Sequence, residues 1–134
     1  MTQSPQALFE LAGGEERLRP LLQDFYDRVF DDVMIGFFFK GKDKALLVQL
    51  ELEFALKMLG ADVEYSGRSL PEAHAAHMIM GGQFNRRLVI LKETLTDHNM
   101  PSEVFEHWIE HTLSLRSQIT RNLPGECRPP SAPA

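Results

Sequence analysis

The sequence predicts an all-α fold, and three observations support that prediction. Apolar residues recur every three or four positions in four separate stretches, which is the spacing of one face of a helix. No stretch shows the strict alternation of a half-buried strand. Glycines, prolines and short polar runs separate the four stretches. Because 134 residues allow one hydrophobic core but not two, we expect a single helical domain.

The clearest helical pattern follows a short apolar segment at 7–11 and the chain break at Gly13–Gly14, and it ends at Asp31–Asp32. Its apolar residues are Leu18, Leu21, Leu22, Phe25, Tyr26, Val29 and Phe30. They lie at i, i+3, i+4, i+7, i+8, i+11 and i+12, so one face of this helix should be buried. The segment that follows, GFFF at 36–39, is predicted to be turn-like.

A second long helix is predicted from Asp43 to Leu59, and it stops at Gly60. We assign its apolar face to Leu46, Leu47, Leu50, Phe54 and Met58. Pro71 is well placed as the first residue of a short helix that carries His74 and His77, because proline suits the first helical position. Gly81–Gly82 should separate this short helix from the next one.

Two further helices complete the predicted fold. The first has an inner face of Phe84, Leu88, Leu91 and Leu95. The second opens at Pro101 and has Val104, Trp108, Leu115 and Ile119 on one side. The tail after Asn122 is rich in proline, which predicts disorder. We therefore expect one domain over 1–122 and a disordered tail over 123–134.

The composition argues against several classes of protein. The chain has 14 basic and 19 acidic side chains, a net charge of −5 and no clustered basic face, so we expect no nucleic-acid partner. No stretch approaches the ~20 apolar residues of a membrane-spanning helix, and no signal peptide is recognisable. The single cysteine, Cys127, rules out an internal disulfide and suits a reducing compartment. These features predict a cytoplasmic protein without a membrane partner.

The histidines are the first candidates for chemistry. His98, His107 and His111 lie on polar stretches and are predicted to be surface residues. His74 and His77 lie on the short helix beside small and apolar neighbours, and such a helix can approach a flat cofactor closely. Imidazole is the usual proximal ligand of haem iron in globins. From spacing alone, an exposed or hydrogen-bonded histidine is the default interpretation.

The order of motifs along the chain adds to this reading. The pieces LFELAGGEERLRPLLQDFYDRVFDD, GFFF, MLGADVEYSGRSLPEAH, GGQF and NMPSEV occur in that order. In combination they resemble the truncated haemoglobins, and most of all their group I, over residues 8–121. The resemblance implies a two-over-two helical sandwich around a haem b.

The same resemblance implies a role for individual residues. His74 of the EAH motif would be the proximal iron ligand, and Tyr26 the distal tyrosine that donates a hydrogen bond to bound ligand. The resemblance implies that the walls of the haem pocket include Phe38, Phe39, Leu47 and Phe54 on one side and Leu70, Ile79 and Phe84 on the proximal side. His77 would lie near a haem propionate, with exposed surface as the alternative.

Two charges depart from the family pattern. Glu51 stands where the distal helix usually has a glutamine, and Arg87 stands at a distal-facing position that is usually small or apolar. A carboxylate facing such a pocket is unfavourable unless it is paired or protonated. We therefore predict that Glu51 and Arg87 pair. The alternative is that both side chains reach out to solvent.

The function implied by the resemblance is binding of dioxygen, nitric oxide or both. Dioxygen bound near Tyr26 could oxidise nitric oxide, a nitric oxide dioxygenase-type activity that needs a reductase as electron source. Three alternatives stay open: a haem-based gas or redox sensor, a peroxidase-like protein that uses Glu51 as acid and base, and a haem-free helical interaction module. We expect a monomer or weak dimer.

Overall fold

The computed structural model describes residues 5–61, 63 and 80–116. Its regular elements are helical, and the described residues contain no strand. The helices are α1 (Pro5–Leu11), α2 (Gly14–Asp31), α3 (Lys44–Met58), α4 (Gly81–Asp97) and α5 (Ser102–Ser114), with a 3-10 helix at Gly36–Phe39 between α2 and α3. The all-α prediction is therefore confirmed. The predicted helix at Pro71 and the predicted tail lie outside the described residues.

Helix α2 is the centre of the fold. It packs against α3 on one side and α4 on another, α4 packs against α5, and α1 contacts both α2 and α5. The side chains that face this core are those that the apolar stripe predicted: Leu18, Leu21, Leu22, Phe25, Tyr26 and Val29. Since a one-sided stripe can be buried only against other helices, the sequence of α2 determines its place between its neighbours.

Two glycines shape the ends of α2. Gly13 precedes the helix with a φ of 92°, a backbone conformation that glycine adopts without steric penalty. Gly36 lies beyond the other end, where a Cβ atom would come within 2.6 Å of the carbonyl oxygen of Phe30. The absence of a side chain at Gly36 thus lets the 3-10 helix fold back tightly against the end of α2.

Helix α3 differs from the prediction in which face it buries. Its buried side chains are Val48, Leu52, Ala55 and Leu56. The face assigned from the sequence is only partly covered: Leu46 is 53 % exposed, and Leu47, Leu50, Phe54 and Met58 are half-buried. Our assignment of the inner face was wrong because α3 is apolar on two sides, so periodicity alone could not choose between them.

Helix α4 buries the predicted residues Phe84, Leu88, Leu91 and Leu95. It begins at Gly81, so the glycine pair forms the first turn of α4. The helix that we predict before the pair lies outside the described residues. The Met80 backbone N–H donates to Gln83 Oε1 at 2.8 Å, which satisfies one donor at the start of the helix. Within the described part of the chain, no helix is long and apolar enough to cross a membrane.

Candidate functional site

Three polar side chains from three helices meet inside the fold. The Tyr26 hydroxyl on α2 donates a hydrogen bond to Glu51 Oε1 on α3, with 3.4 Å between the oxygens. Arg87 Nη2 on α4 donates to the same Glu51 oxygen at 3.1 Å. The Glu51 side chain is 17 % exposed and that of Arg87 is 26 % exposed. We call Tyr26, Glu51 and Arg87 the inner network, and the predicted pairing of Glu51 with Arg87 is confirmed.

Burial governs the electrostatics of the inner network. It raises the pKa of the Tyr26 phenol far above its ordinary value, and the negative charge of Glu51 raises that pKa further. It also raises the pKa of the Glu51 carboxyl, although the Arg87 guanidinium and the Tyr26 hydroxyl act in the opposite direction. Tyr26 is therefore a neutral hydrogen-bond donor, and Glu51 takes up a proton more readily than an exposed glutamate does.

Aromatic rings hold the inner network in place. The Tyr26 ring meets the rings of Phe25 and Phe39 edge-on, with centroids 5.2 Å and 6.2 Å away. The Arg87 guanidinium carbon lies 5.0 Å from the centroid of the Phe25 ring, within cation–π range. These contacts restrict the two donors, whose hydrogen bonds both fall on Oε1 of Glu51.

The second half of α3 borders a cleft of about 310 Å³. The cleft is lined by Phe54, Lys57, Met58 and His111. The rings of Phe54 and His111 have centroids 5.7 Å apart, and burial, aided by the charge of His107, lowers the pKa of the His111 imidazole. Our prediction that His111 is a surface residue was wrong, because it is half-buried and faces α3.

The other two histidines predicted to be on the surface are also partly covered. His98 Nε2 lies 2.8 Å from Asp24 Oδ2, and His107 Nε2 lies 3.2 Å from the backbone oxygen of Met58. Both are half-buried and have hydrogen-bond partners, so neither is a simple surface residue. Neither belongs to the inner network.

These features fit the haem that the motif order implies. Leu47, Phe54 and Met58 form an apolar face that the rest of the described chain covers only in part, as a flat apolar cofactor requires. Tyr26 brings a hydrogen-bond donor to the α2 side of α3, and Lys57 brings a cation to the rim of the cleft. The residues present thus offer an apolar wall, a polar group for a small ligand, and a charge suited to a carboxylate.

The structure brings some of the predicted site residues together and separates others. Phe39 contacts Tyr26, whereas Phe38 stacks on Phe37 with ring centroids 4.2 Å apart. Phe84 is buried, with the Arg116 guanidinium carbon 5.1 Å from its ring centroid. The positions that lie outside the described residues are Leu70, His74, His77 and Ile79. The roles assigned to all these residues in haem binding stay predictions.

Sequence reasoning missed two residues of the cleft, Lys57 and His111. A signal for His111 was present, because it follows Trp108 by three positions and Val104 by seven, and both are buried on α5. That spacing extends the inward stripe of the helix to His111. Lys57 had no such signal, since a lysine at the end of a helix is ordinarily exposed.

The sequence profile of the bacterial-like globin family matches residues 7–121 of this chain. The chain belongs to the bacterial-like globin family. This globin is 28 % identical to a group 1 truncated haemoglobin of Tetrahymena pyriformis over 111 residues, which are 81 % of the globin and 92 % of the relative. It is 26 % identical to the group 1 truncated haemoglobin GlbN of Mycolicibacterium paratuberculosis over 122 residues, 91 % of the globin and 90 % of that relative.

Solved structures agree with the two-over-two fold. The globin superposes with a TM-score of 0.80 on the Fe(III) form of a tyrosine-to-phenylalanine variant of the Tetrahymena pyriformis truncated haemoglobin, at 22 % identity, covering 86 % of the globin and 98 % of that chain. It superposes with a TM-score of 0.76 on the 2/2 haemoglobin of Synechococcus, solved in the cyanomet state with covalently attached haem, at 22 % identity, covering 84 % and 96 %. The predicted truncated-globin fold is therefore confirmed, and family membership supports haem-based gas binding.

Proposed function

We propose that this globin binds haem b and uses it to bind dioxygen or nitric oxide reversibly. The observation that supports this most directly is the match of the bacterial-like globin family over residues 7–121. His74 is the proposed proximal ligand, on the strength of the EAH motif alone. Haem, when bound, supplies an iron that binds small ligands and exchanges electrons with them.

The residues of the inner network adjust how strongly a gas ligand is held on the distal side. The Tyr26 hydroxyl is the proposed donor to the ligand. Its hydrogen bond to Glu51 is 3.4 Å long, beyond the usual range for two oxygens, so the hydroxyl can turn to a better acceptor at little cost. A hydrogen bond to a partly anionic ligand contributes about 1.5–3 kcal/mol by analogy with bonds to charged groups. Tyr26 should therefore slow ligand release.

The proposal extends to nitric oxide consumption. One nitric oxide and one dioxygen combine to nitrate when one electron is supplied, and we propose that a reductase supplies that electron.

The chain would act in the cytoplasm as a monomer or weak dimer, with the globin domain over 1–122 followed by a tail over 123–134. The part of the last helix that would carry a covalent link to haem reads LSLRSQ, without a histidine, so we propose that haem b is held non-covalently.

The visible spectrum of the purified protein tests haem binding. The full chain, supplied with haem, should show an intense Soret band, and His74→Ala should abolish it. His98→Ala is the matched control, because His98 contacts Asp24 on another side of α2 and should leave the band unchanged. A Soret band that survives in His74→Ala with unchanged position and intensity would contradict the assignment of His74.

The rate of dioxygen release then tests the role of Tyr26. Tyr26→Phe keeps the ring and removes the donor, so release should accelerate by about 10- to 150-fold, the equivalent of 1.5–3 kcal/mol. Equal release rates in wild type and Tyr26→Phe would show that Tyr26 does not reach the ligand.

A further inference from the structure

The two oxygens of the Glu51 carboxylate have different surroundings. Oε1 accepts from both Tyr26 and Arg87, whereas no hydrogen bond reaches Oε2 from the residues that the structure describes. Every fully buried side-chain oxygen or nitrogen in the described part of the chain has a hydrogen-bond partner. Since Oε2 has no such partner there, it is not fully buried. The second oxygen is thus an acceptor that a small molecule can reach.

A free carboxylate oxygen selects for ligands that can donate a hydrogen bond. Dioxygen and nitric oxide carry no hydrogen, so Oε2 can contribute nothing but repulsion toward a partly anionic gas ligand. Hydrogen peroxide carries a hydrogen on each of two adjacent oxygens. A carboxylate beside it can accept the proton of one oxygen and return it to the other, the task of a general acid–base group.

We propose that Glu51 makes this globin a hydrogen peroxide-consuming protein, with Glu51 as the group that moves the proton. This inference rests on the proposed binding of haem. Glu51 takes a proton from one peroxide oxygen and gives it to the other, which leaves as water when the O–O bond breaks. The remaining oxygen leaves as a second water after two phenol molecules have each given up one hydrogen atom and become phenoxyl radicals.

Arg87 is the positioning residue of this arrangement. Its guanidinium occupies Oε1 at 3.1 Å and is itself held over the Phe25 ring, so Oε2 is the oxygen left for the substrate. Among the described residues, the titratable groups that face Glu51 are Tyr26 from α2 and Arg87 from α4. Because burial keeps the Tyr26 phenol neutral, the pH dependence of the inner network should follow Glu51.

The test is the rate at which the haem-loaded protein reacts with hydrogen peroxide, followed by the change in the Soret band in a stopped-flow instrument. In the wild type the rate should rise with pH as Glu51 ionises. Glu51→Gln should be slower by about 100-fold or more and independent of pH, since general acid–base groups contribute about 10²- to 10⁴-fold. Glu53→Gln is the matched control, because Glu53 is on the same helix and accepts from Gln49 at 3.1 Å.

A second measurement observes the carboxyl group without turnover. The infrared C=O band of protonated Glu51 should be absent in Glu51→Gln and should titrate, in the wild type, with the same midpoint as the peroxide rate. Arg87→Met should move both midpoints to higher pH because it removes a positive charge, and Arg87→Lys should restore them in part. A merely structural role of Arg87 would leave the midpoints where they are.

The outcomes separate this inference from the proposed function. Without a Soret band in the wild type, both fail. With a Soret band but equal peroxide rates in wild type and Glu51→Gln, only the peroxide inference is overturned.

Hydrogen sulfide, which donates a hydrogen but has no second atom to receive it, should bind at rates that Glu51→Gln changes by less than tenfold. A larger effect on sulfide than on peroxide would show that Glu51 only hydrogen-bonds to ligands.

Discussion

Helix α2 carries two polar networks that differ in depth. The inner network begins at Tyr26, whereas two residues earlier Asp24 begins an outer network that also comprises Arg28, Asp97 and His98. In the outer network Arg28 Nη2 lies 3.0 Å from Asp24 and 2.8 Å from Asp97, and His98 lies 2.8 Å from Asp24. The Asp24 side chain is 35 % exposed and that of Asp97 is 59 % exposed, against 17 % for Glu51.

An arginine lowers the pKa of both carboxyl groups, but the net shifts have opposite signs. For Asp24, the hydrogen bonds and charge of Arg28 lower the pKa by more than burial raises it. For Glu51, burial raises the pKa by more than Arg87 lowers it. The balance between removal of water and a neighbouring cation, and not the presence of an arginine, therefore decides which protonation state is favoured.

The largest effect should come from removing the cation of the inner network. Arg87→Met leaves the Glu51 carboxylate without its strongest partner, which should lower the free energy of unfolding by about 1–3 kcal/mol at pH 8. At pH 4 the loss should be smaller, because Glu51 is then protonated. Urea unfolding at the two pH values measures the difference. A loss that is equal at both would show that Arg87 stabilises the fold by packing alone.

The second prediction concerns the sign of the pH dependence. A carboxyl whose pKa is raised by folding contributes stability that is present at acidic pH and is lost as the pH rises through the folded pKa. Glu51→Gln removes that loss. The stability of Glu51→Gln relative to wild type should therefore increase, on the order of 1 kcal/mol, between pH 4 and pH 8. Thermal unfolding in matched buffers measures this trend. Glu53→Gln is the reference, because its stability relative to wild type should not change between the two pH values.

The smallest effect should come from the outer network, and its dependence on pH should have the opposite sign. Because the folded pKa of Asp24 is lowered, its contribution is present above the ordinary pKa of aspartate and fades as the pH falls. Asp24→Asn should cost about 0.5 kcal/mol at pH 7, since exposed ion pairs are weak, and less in 0.5 M salt. A loss that grows toward acidic pH would remove the contrast between the two networks.

One-sided apolar patterns made much of this fold predictable. The stripe of α2 and that of α4 have polar residues opposite, so their buried faces followed from periodicity. The Glu51–Arg87 pair could also be predicted, because the resemblance implied that both charges stand at pocket-facing positions and a buried charge needs a partner.

Other features could not be predicted because the sequence patterns there are ambiguous. Helix α3 is apolar on two sides, and only the packing of α2 shows that Val48 and Leu52 face the core. The hydrogen bond from Tyr26 to Glu51 depends on how α2 and α3 cross, which periodicity does not describe. The conformation of Gly81–Gly82 depends on neighbours, since a glycine pair permits a helix as well as a turn.

The two apolar sides of α3 affect how much of this protein is present in a cell. The described part of the chain covers Leu47, Phe54 and Met58 only in part, so a bound haem that covers them would add to the stability of the fold. Haem that binds the folded chain stabilises it by mass action, about 4 kcal/mol at a thousand times the dissociation constant. Chains made while haem is scarce would unfold more often and be degraded sooner. The amount of protein would thus follow the availability of haem without any regulator of its synthesis.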